Sequence, residues 1–241
     1  MCTRGLPLVG MTLRTIALVG MDGSGKTTQA HRLADELAAA GVPAVYRRNA
    51  GGRHWVGRVA VRLGRRDAED LIGRRAMLVV ESVLRWLAIL RTLLRRAFTG
   101  GVVVMDRYAV CQYASLRARG ARPAAERRAR LAYRFFPRPD VTFLLTVDPE
   151  VAQRRIDARG YDHESMAYLR AAAEAYRSLP EYPTFVVIDA NGTPDEVSAA
   201  LHAELRRLSA PAAHRSGGLL LAGAATLAAM ATVGYQFAEL L

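Results

Sequence analysis

Short apolar runs alternate along this chain with longer stretches in which apolar residues recur every three or four positions. The runs cover residues 15–19, 43–46, 102–105, 141–147 and 184–188. They are rich in β-branched residues, too short for helices and too uniformly apolar for half-exposed strands, so each reads as a buried strand. Between them, Leu33, Leu37 and Ala38 fall at helical spacing up to Ala40, and Gly41 closes that segment. Residues 67–98 read as one long helix or two in series, with Met77, Leu78, Leu84, Leu87, Leu90 and Leu94 on one face and Gly100 and Gly101 at its end. Further helices are expected over 109–119 and 123–136, after the Asp148 N-cap and Pro149, over 164–179, and from Asp195 to near Leu208. Residues 47–53 carry too much glycine and charge for regular structure. Strands that alternate with helices in this way predict an α/β fold, a three-layer sandwich whose five-stranded parallel sheet is covered by helices on both faces. Ligands of such sheets sit beyond the carboxyl ends of the strands.

The C-terminal part follows another pattern. No charged residue occurs from Gly217 to Ala238, a run that would extend about 33 Å as a helix, enough to cross a bilayer core. It is rich in alanine and glycine, and Gly218/Ala222 and Ala224/Ala228 form small-residue pairs one helical turn apart. Two readings stand: a membrane anchor, which is favoured, or an apolar helix docked on protein. Arg206, Arg207 and Arg215 lie on its N-terminal side and would keep the preceding domain on the cytoplasmic face of a membrane. The expected organisation is an N-terminal extension over 1–13, an α/β domain over 14–209, a linker over 210–216 and a C-terminal apolar helix over 217–238. The first residues hold one arginine and no long apolar core, so no signal peptide is expected, and Met11 is an alternative start.

Composition adds two constraints. The net charge of +12 points to an anionic partner: nucleic acid, membrane surface or phosphate-rich small molecules. The arginines stand in pairs along helices without the interleaved aromatic residues of a base-stacking platform, so nucleic acid is not the expected partner. The two cysteines, Cys2 and Cys111, match no metal or redox spacing, which fits a reducing compartment.

The chemistry is concentrated where the first strand ends. Residues 20–27 read Gly-Met-Asp-Gly-Ser-Gly-Lys-Thr, the G-x-x-x-x-G-K-T pattern of a phosphate-binding loop, with a strand before it and a helix after it as the motif requires. Glycines let backbone N–H groups turn toward phosphates, and the helix N-terminus adds partial positive charge. The expected donor site is Gly20, Asp22, Gly23, Ser24, Gly25, Lys26, Thr27 and Thr28, with ATP bound, Lys26 on the β/γ-phosphates and the Thr27 hydroxyl on Mg²⁺. Lys26 is the only lysine in the chain. Asp106, at the end of a buried strand, is placed to hold Mg²⁺ with Thr27. Arg107 beside it could clamp an acceptor phosphate, or the two could be a plain ion pair. Arg154, Arg155 and Arg159 could close over a transferring phosphoryl group, or form a solvated basic helix face.

Together these residues resemble the thymidylate kinase family of P-loop nucleoside monophosphate kinases, over roughly residues 14–208. The resemblance rests on Asp22 within the phosphate loop, on Arg48, Gly51 and Gly52 after the second strand, and on Asp106-Arg107-Tyr108. It also rests on Arg85, twenty-one residues before Asp106, and on the Asp148-Pro149-Glu150-Val151, Arg155, Arg159, Gly160 lid pattern. It implies that Asp22 sits near the acceptor, that Arg48, Arg85, Arg107 and Tyr108 bind the acceptor, and that Lys26, Asp22, Arg107, Arg155 and Arg159 are catalytic. It also implies a homodimer formed through helices. The departures lie on the acceptor side. Glu81 stands where the family stacks a phenylalanine on the base, Ser115 where it has a tyrosine, and Cys111, Asn49 and His163 replace serine, glutamate and arginine. Glu81 and Arg85, spaced i, i+4, form either an ordinary helix salt bridge or a reader of a different base or a sugar. The expected activity is ATP- and Mg²⁺-dependent phosphoryl transfer to a nucleoside monophosphate, dTMP as first guess. The alternatives are a non-nucleotide or lipid-linked phosphate acceptor, or a membrane-bound ATP-binding switch with little turnover.

Overall fold

All five apolar runs pair into a single parallel sheet in the order β2-β3-β1-β4-β5, from β1 (Thr15–Val19), β2 (Ala44–Arg48), β3 (Val102–Asp106), β4 (Val141–Thr146) and β5 (Val186–Asp189). The structure is a computed structural model and describes residues 13–160 and 164–209. The helices are α1 (Lys26–Ala39), α2 (Arg53–Arg62), α3 (Ala68–Ile72), α4 (Arg74–Phe98), α5 (Ala109–Ala118), α6 (Pro123–Tyr133), α7 (Pro149–Asp157), α8 (Met166–Arg177) and α9 (Pro194–Ser209).

Alternation along the strands separates two cores. Ile16, Leu18, Val104, Phe143 and Leu145 face Leu33 and Leu37 of α1, Ile156 of α7 and Leu201 and Leu205 of α9. Ala17, Val19, Val103, Met105 and Leu144 face Ile89 of α4, Ala109, Val110 and Ala114 of α5, and Tyr176 of α8. Because β1 is central and the chain leaves it toward β2 and β3 on one side before reaching β4 on the other, the loop after β1 lies at the point where strand order reverses. Such a point opens a crevice for ligand.

The structure corrects the expected boundaries in two places and decides between the two readings of a third. Residues 47–53 are not irregular throughout: β2 continues through Arg47 and Arg48, which an edge strand tolerates, and α2 begins at Arg53. Among the described side chains of α2 only Val56 and Ala60 are buried, with Val56 packing on Ala68 and Met77, so its inward pattern is too brief to read among glycines and arginines. The 67–98 stretch is two helices in series, divided at Gly73, where φ is +81°. The fifth strand starts at Val186 because Tyr182–Thr184 form a 3₁₀ turn around Pro183, whose nitrogen has no hydrogen for a sheet ladder. Residues 217–238, with the linker 210–216 and residues 1–12, lie outside the described residues. Among the described residues no helix is long and apolar enough to cross a membrane.

Candidate active site

The phosphate loop joins β1 directly to α1, with Gly25 at the N-cap and no side-chain cap bond there, so the first-turn N–H groups of α1 are left for an anion. Gly23 (φ +82°) is pressed against α7: a Cβ there would stand 2.6 Å from the Ala152 carbonyl oxygen. This close packing and left-handed backbone require glycine. Ser24 is buried, Thr27 and Thr28 are exposed, and the Tyr176 hydroxyl donates to the Gly20 carbonyl at 3.0 Å.

Lys26 is 4 % exposed, and its Nζ donates to the Met21 carbonyl (2.5 Å) and Ser24 Oγ (3.3 Å). Burial, followed by repulsion from Arg107, brings its pKa down to about 8 against the opposing pull of Asp22 and Asp106. The ammonium is thus held among loop oxygens with its charge only partly compensated, which suits a polyphosphate.

Asp106, at the end of β3, accepts through Oδ2 from Thr27 Oγ1 (2.6 Å) and the Tyr46 hydroxyl (3.2 Å). Its other oxygen, Oδ1, is buried with no hydrogen-bond partner among the described residues. An orphaned carboxylate oxygen beside a threonine hydroxyl at the mouth of a phosphate loop is the donor set Mg²⁺ uses when phosphates and waters complete its shell. Mg²⁺ therefore fits these residues. No cluster of three or more His, Cys, Asp or Glu that could hold a metal by itself occurs among the described residues.

Arg107 is the only non-glycine residue with positive φ among the described residues, at +78°. Its backbone is held on both sides: its N–H donates to the Leu18 carbonyl (3.0 Å), and its carbonyl accepts from Asn49 Nδ2 (2.8 Å). Asn49 is itself fully buried, accepting from Thr92 Oγ1 (3.0 Å) and donating its N–H to the Asp106 carbonyl (2.9 Å). The strained turn aims the guanidinium at Asp22, with which it forms an ion pair. Burial would raise the Asp22 pKa, but Arg107, then Lys26, hold it below the usual carboxylate range. Burial opposes the Arg107 charge, and Asp22 and Asp106 outweigh that effect to hold its pKa well above the ordinary value. Asp22, Lys26, Asp106 and Arg107 thus form one electrostatic unit at the carboxyl ends of β1 and β3.

Glu81 and Arg85 do pair, but inside the protein. Glu81 Oε1 accepts from Arg85 Nη2 at 2.8 Å, with the side chains 7 % and 4 % exposed. Arg85 Nη1 donates to Gln112 Oε1 (2.6 Å), Gln112 Nε2 donates to Ser82 Oγ (2.6 Å), and Ser115 Oγ lies 3.3 Å from Glu81 Oε1. Arg85 Nε is buried without a partner among the described residues. Gly51 closes this cluster: a Cβ there would meet Glu81 Cγ at 2.3 Å and Arg85 Nη2 at 3.1 Å. The ordinary helix salt bridge is therefore replaced by a desolvated polar network. Gln112, which no motif marks, joins it because α5 packs on α4.

The remaining expected residues are dispersed. Arg48 is exposed at the end of β2, in register with Asp106. Tyr108, expected on the acceptor, turns into the second core, and its hydroxyl donates to the Pro137 carbonyl at 2.5 Å. Arg155 donates to the carbonyls of Ala190 (2.8 Å), Asn191 (3.1 Å) and Gly192 (2.8 Å) after β5. Arg159 is exposed beyond the end of α7. Tyr176 belongs to no local motif and Asn49 enters the sequence reading only as a departure from one, and the contacts of both arise from tertiary packing.

A phosphate loop on the central strand, a strand-end carboxylate beside its threonine and an arginine paired with an aspartate of the loop define a P-loop phosphotransferase. Residues 18–201 match the family model described as "Thymidylate kinase". The chain is 34% identical to the thymidylate kinase of Xanthomonas euvesicatoria over 78% of this chain and 81% of that protein. It is 31% identical to a probable thymidylate kinase of Archaeoglobus fulgidus, over 76% of this chain and 89% of that protein. A probable thymidylate kinase of Pyrobaculum aerophilum is 27% identical over 80% of this chain and 96% of its own length. The chain belongs to the thymidylate kinase family. It is a nucleoside monophosphate kinase, with ATP as donor and Mg²⁺ as cofactor.

Proposed function

We propose that the chain transfers the γ-phosphoryl group of ATP to the phosphate of dTMP, giving dTDP. The observation that carries this reading is the Asp22–Arg107 pair, which places an arginine that can exchange a carboxylate for a phosphate at the lip of the donor loop. Lys26 and the N–H groups of the loop from Gly20 to Thr28 hold the donor phosphates. Thr27 and Asp106 would hold Mg²⁺, which neutralises charge on the phosphate oxygens when bound. Arg107 and Arg48 bind the acceptor phosphate, and Asp22, released from Arg107, sits beside the transfer site. Arg155 and Arg159 stabilise the charge spread over the transferring group, and Arg155 must exchange its three carbonyl partners to do so. Catalysis is then positioning and electrostatics, with no general base required.

One observation favours a second acceptor. The buried Glu81–Arg85–Gln112–Ser115 network offers a carboxylate, a guanidinium and an amide where the family resemblance implies an aromatic platform, which suits a base or sugar rich in hydrogen-bonding groups. Residues 217–238 are proposed as a membrane anchor joined to the kinase domain, residues 14–209, by the linker 210–216. The test is ADP release with ATP and a panel of dTMP, dUMP, dCMP, UMP and sugar phosphates, with Lys26→Ala as the blank. Strongest stimulation by dTMP supports the first reading, and stimulation by another member names the acceptor of the second. ATP binding without stimulation by any member overturns both.

A further inference from the structure

Two hydroxyl groups converge on one oxygen of Asp106. Thr27 Oγ1 donates to Oδ2 at 2.6 Å and the Tyr46 hydroxyl donates to the same atom at 3.2 Å, while Oδ1 is buried without a partner among the described residues. Thr27 belongs to the phosphate loop, but Tyr46 belongs to no motif. It lies in β2 opposite Val104 and two residues before Arg48, which is opposite Asp106. Its ring packs on the first core, and its hydroxyl reaches toward the carboxyl end of β3. The ring is also held by α1. His31 stands one helical turn after Thr27, and its imidazole stacks on the Tyr46 ring with centroids 3.5 Å apart and planes 24° from parallel. Thr27, Asp106, Tyr46 and His31 thus close a ring of contacts that runs from α1 through β3 and β2 and back to α1.

An aspartate carboxylate turns easily about its last side-chain bond, so a single hydrogen bond leaves its plane free to tilt. A second donor on the same oxygen fixes the plane and decides which oxygen faces outward. Carboxylates that ligate metals are oriented by such partners, which act through the ligand. Phenylalanine at this position would supply the same ring to the core and to His31 but no donor, so packing alone does not account for the hydroxyl. We infer that Tyr46 is a positioning residue for the metal site: its hydroxyl, fixed by the His31 stack, holds Asp106 Oδ2 so that Oδ1 is the oxygen presented to Mg²⁺. The inference rests on the reading that Thr27 and Asp106 hold the ion, and it is independent of the identity of the acceptor.

Manganese binding tests this in the full chain. The affinity for the β,γ-imido analogue of ATP is measured with Mn²⁺ and again in EDTA, with bound Mn²⁺ read by electron paramagnetic resonance. The ratio of the two affinities is the gain due to the metal. Tyr46→Phe keeps the ring and deletes the hydroxyl, and it should cut that gain about ten-fold. The affinity in EDTA and the melting temperature should stay close to those of the unaltered chain, whereas a residue that only packs would move the melting temperature and leave the gain alone. In ADP release the Mg²⁺ concentration for half-maximal rate should rise, and saturating Mg²⁺ should restore the rate. Where Tyr46→Phe does not fold, His31→Ala at an exposed position removes the stack and keeps the hydroxyl. It should weaken the gain in the same direction, and an undiminished gain there overturns the inference. Asp106→Asn separates the two levels of the account. If it leaves the gain intact, Asp106 does not hold the ion and the inference falls with that reading. If it removes the gain while Tyr46→Phe keeps or increases it, the inference alone is overturned.

Discussion

Replacing Asn49 by alanine separates what holds the site from what performs in it. The Asn49 amide is fully buried and satisfies two groups, the Arg107 carbonyl at 2.8 Å and the Thr92 hydroxyl at 3.0 Å. Alanine keeps the backbone N–H bond to Asp106 but removes the partner of both the buried Thr92 hydroxyl and the partly buried Arg107 carbonyl, at about 1–3 kcal/mol each. The expected loss is roughly 2–6 kcal/mol, a large share of the ~5–15 kcal/mol that stabilises a typical domain. A second effect falls on function. Arg107 stands at φ +78°, a conformation that costs a non-glycine residue about 1–3 kcal/mol and persists only where its surroundings impose it. With its carbonyl released, Arg107 leaves the geometry that aims it at Asp22 for part of the time, and kcat/KM should fall about 10- to 100-fold. Urea unfolding followed by far-UV circular dichroism gives the first number, and ADP release with saturating ATP gives the second. Adding Thr92→Val removes one of the two orphaned groups. The double variant should regain about 1 kcal/mol of stability and none of the lost activity. A loss within about 0.5 kcal/mol with unchanged kcat/KM would refute the argument. Recovery of activity together with stability in the double variant would refute the link through Arg107.

Three further outcomes follow from the same geometry. Glu81→Leu should destabilise by about 3–5 kcal/mol, because it leaves the Arg85 guanidinium buried without its carboxylate, and combining it with Arg85→Leu should cost clearly less than the sum of the two single changes; additive losses in denaturant unfolding would contradict a coupled buried pair. The Lys26 pKa is lowered to about 8 in the free chain, and bound polyphosphate should raise it, so ATP binding takes up a proton above that pH. ATP affinity should therefore weaken as pH rises through about 8, and calorimetry in buffers of different ionisation enthalpy should show proton uptake that Lys26→Arg lacks. Asp22→Ala should lower turnover far more than ATP affinity, and equal losses in both would count against its place beside the acceptor.

The donor half was legible in the sequence because its groups are contiguous or sit at strand ends. Residues 20–27 announce the loop, and the β-branched run from Val102 to Met105 delivers Asp106 and Arg107 to the same edge of the sheet. The pairing of Asp22 with Arg107 was not legible, because it depends on the left-handed turn at Arg107, and Asn49, which holds that turn, lies 58 residues away. Glu81 and Arg85 were visible as an i, i+4 pair, but spacing does not reveal burial. That follows from α5 covering α4 and from Gly51 approaching without a side chain. The burial of Tyr108 does not follow from the motif, because its neighbours there face the site while its own side chain follows the first turn of α5 into the core. Helix α2 is hard to read from the sequence because its inward pattern, Val56 and Ala60, is one turn long.

The central claim is phosphoryl transfer between ATP and a nucleoside monophosphate, and the most direct measurement follows the label from [γ-³²P]ATP in the presence of dTMP and Mg²⁺. The account predicts labelled dTDP formed at a rate that Lys26→Ala and Arg107→Ala each abolish, with little label released as inorganic phosphate. Label appearing only as inorganic phosphate, or remaining in ATP whatever monophosphate is supplied, would contradict it.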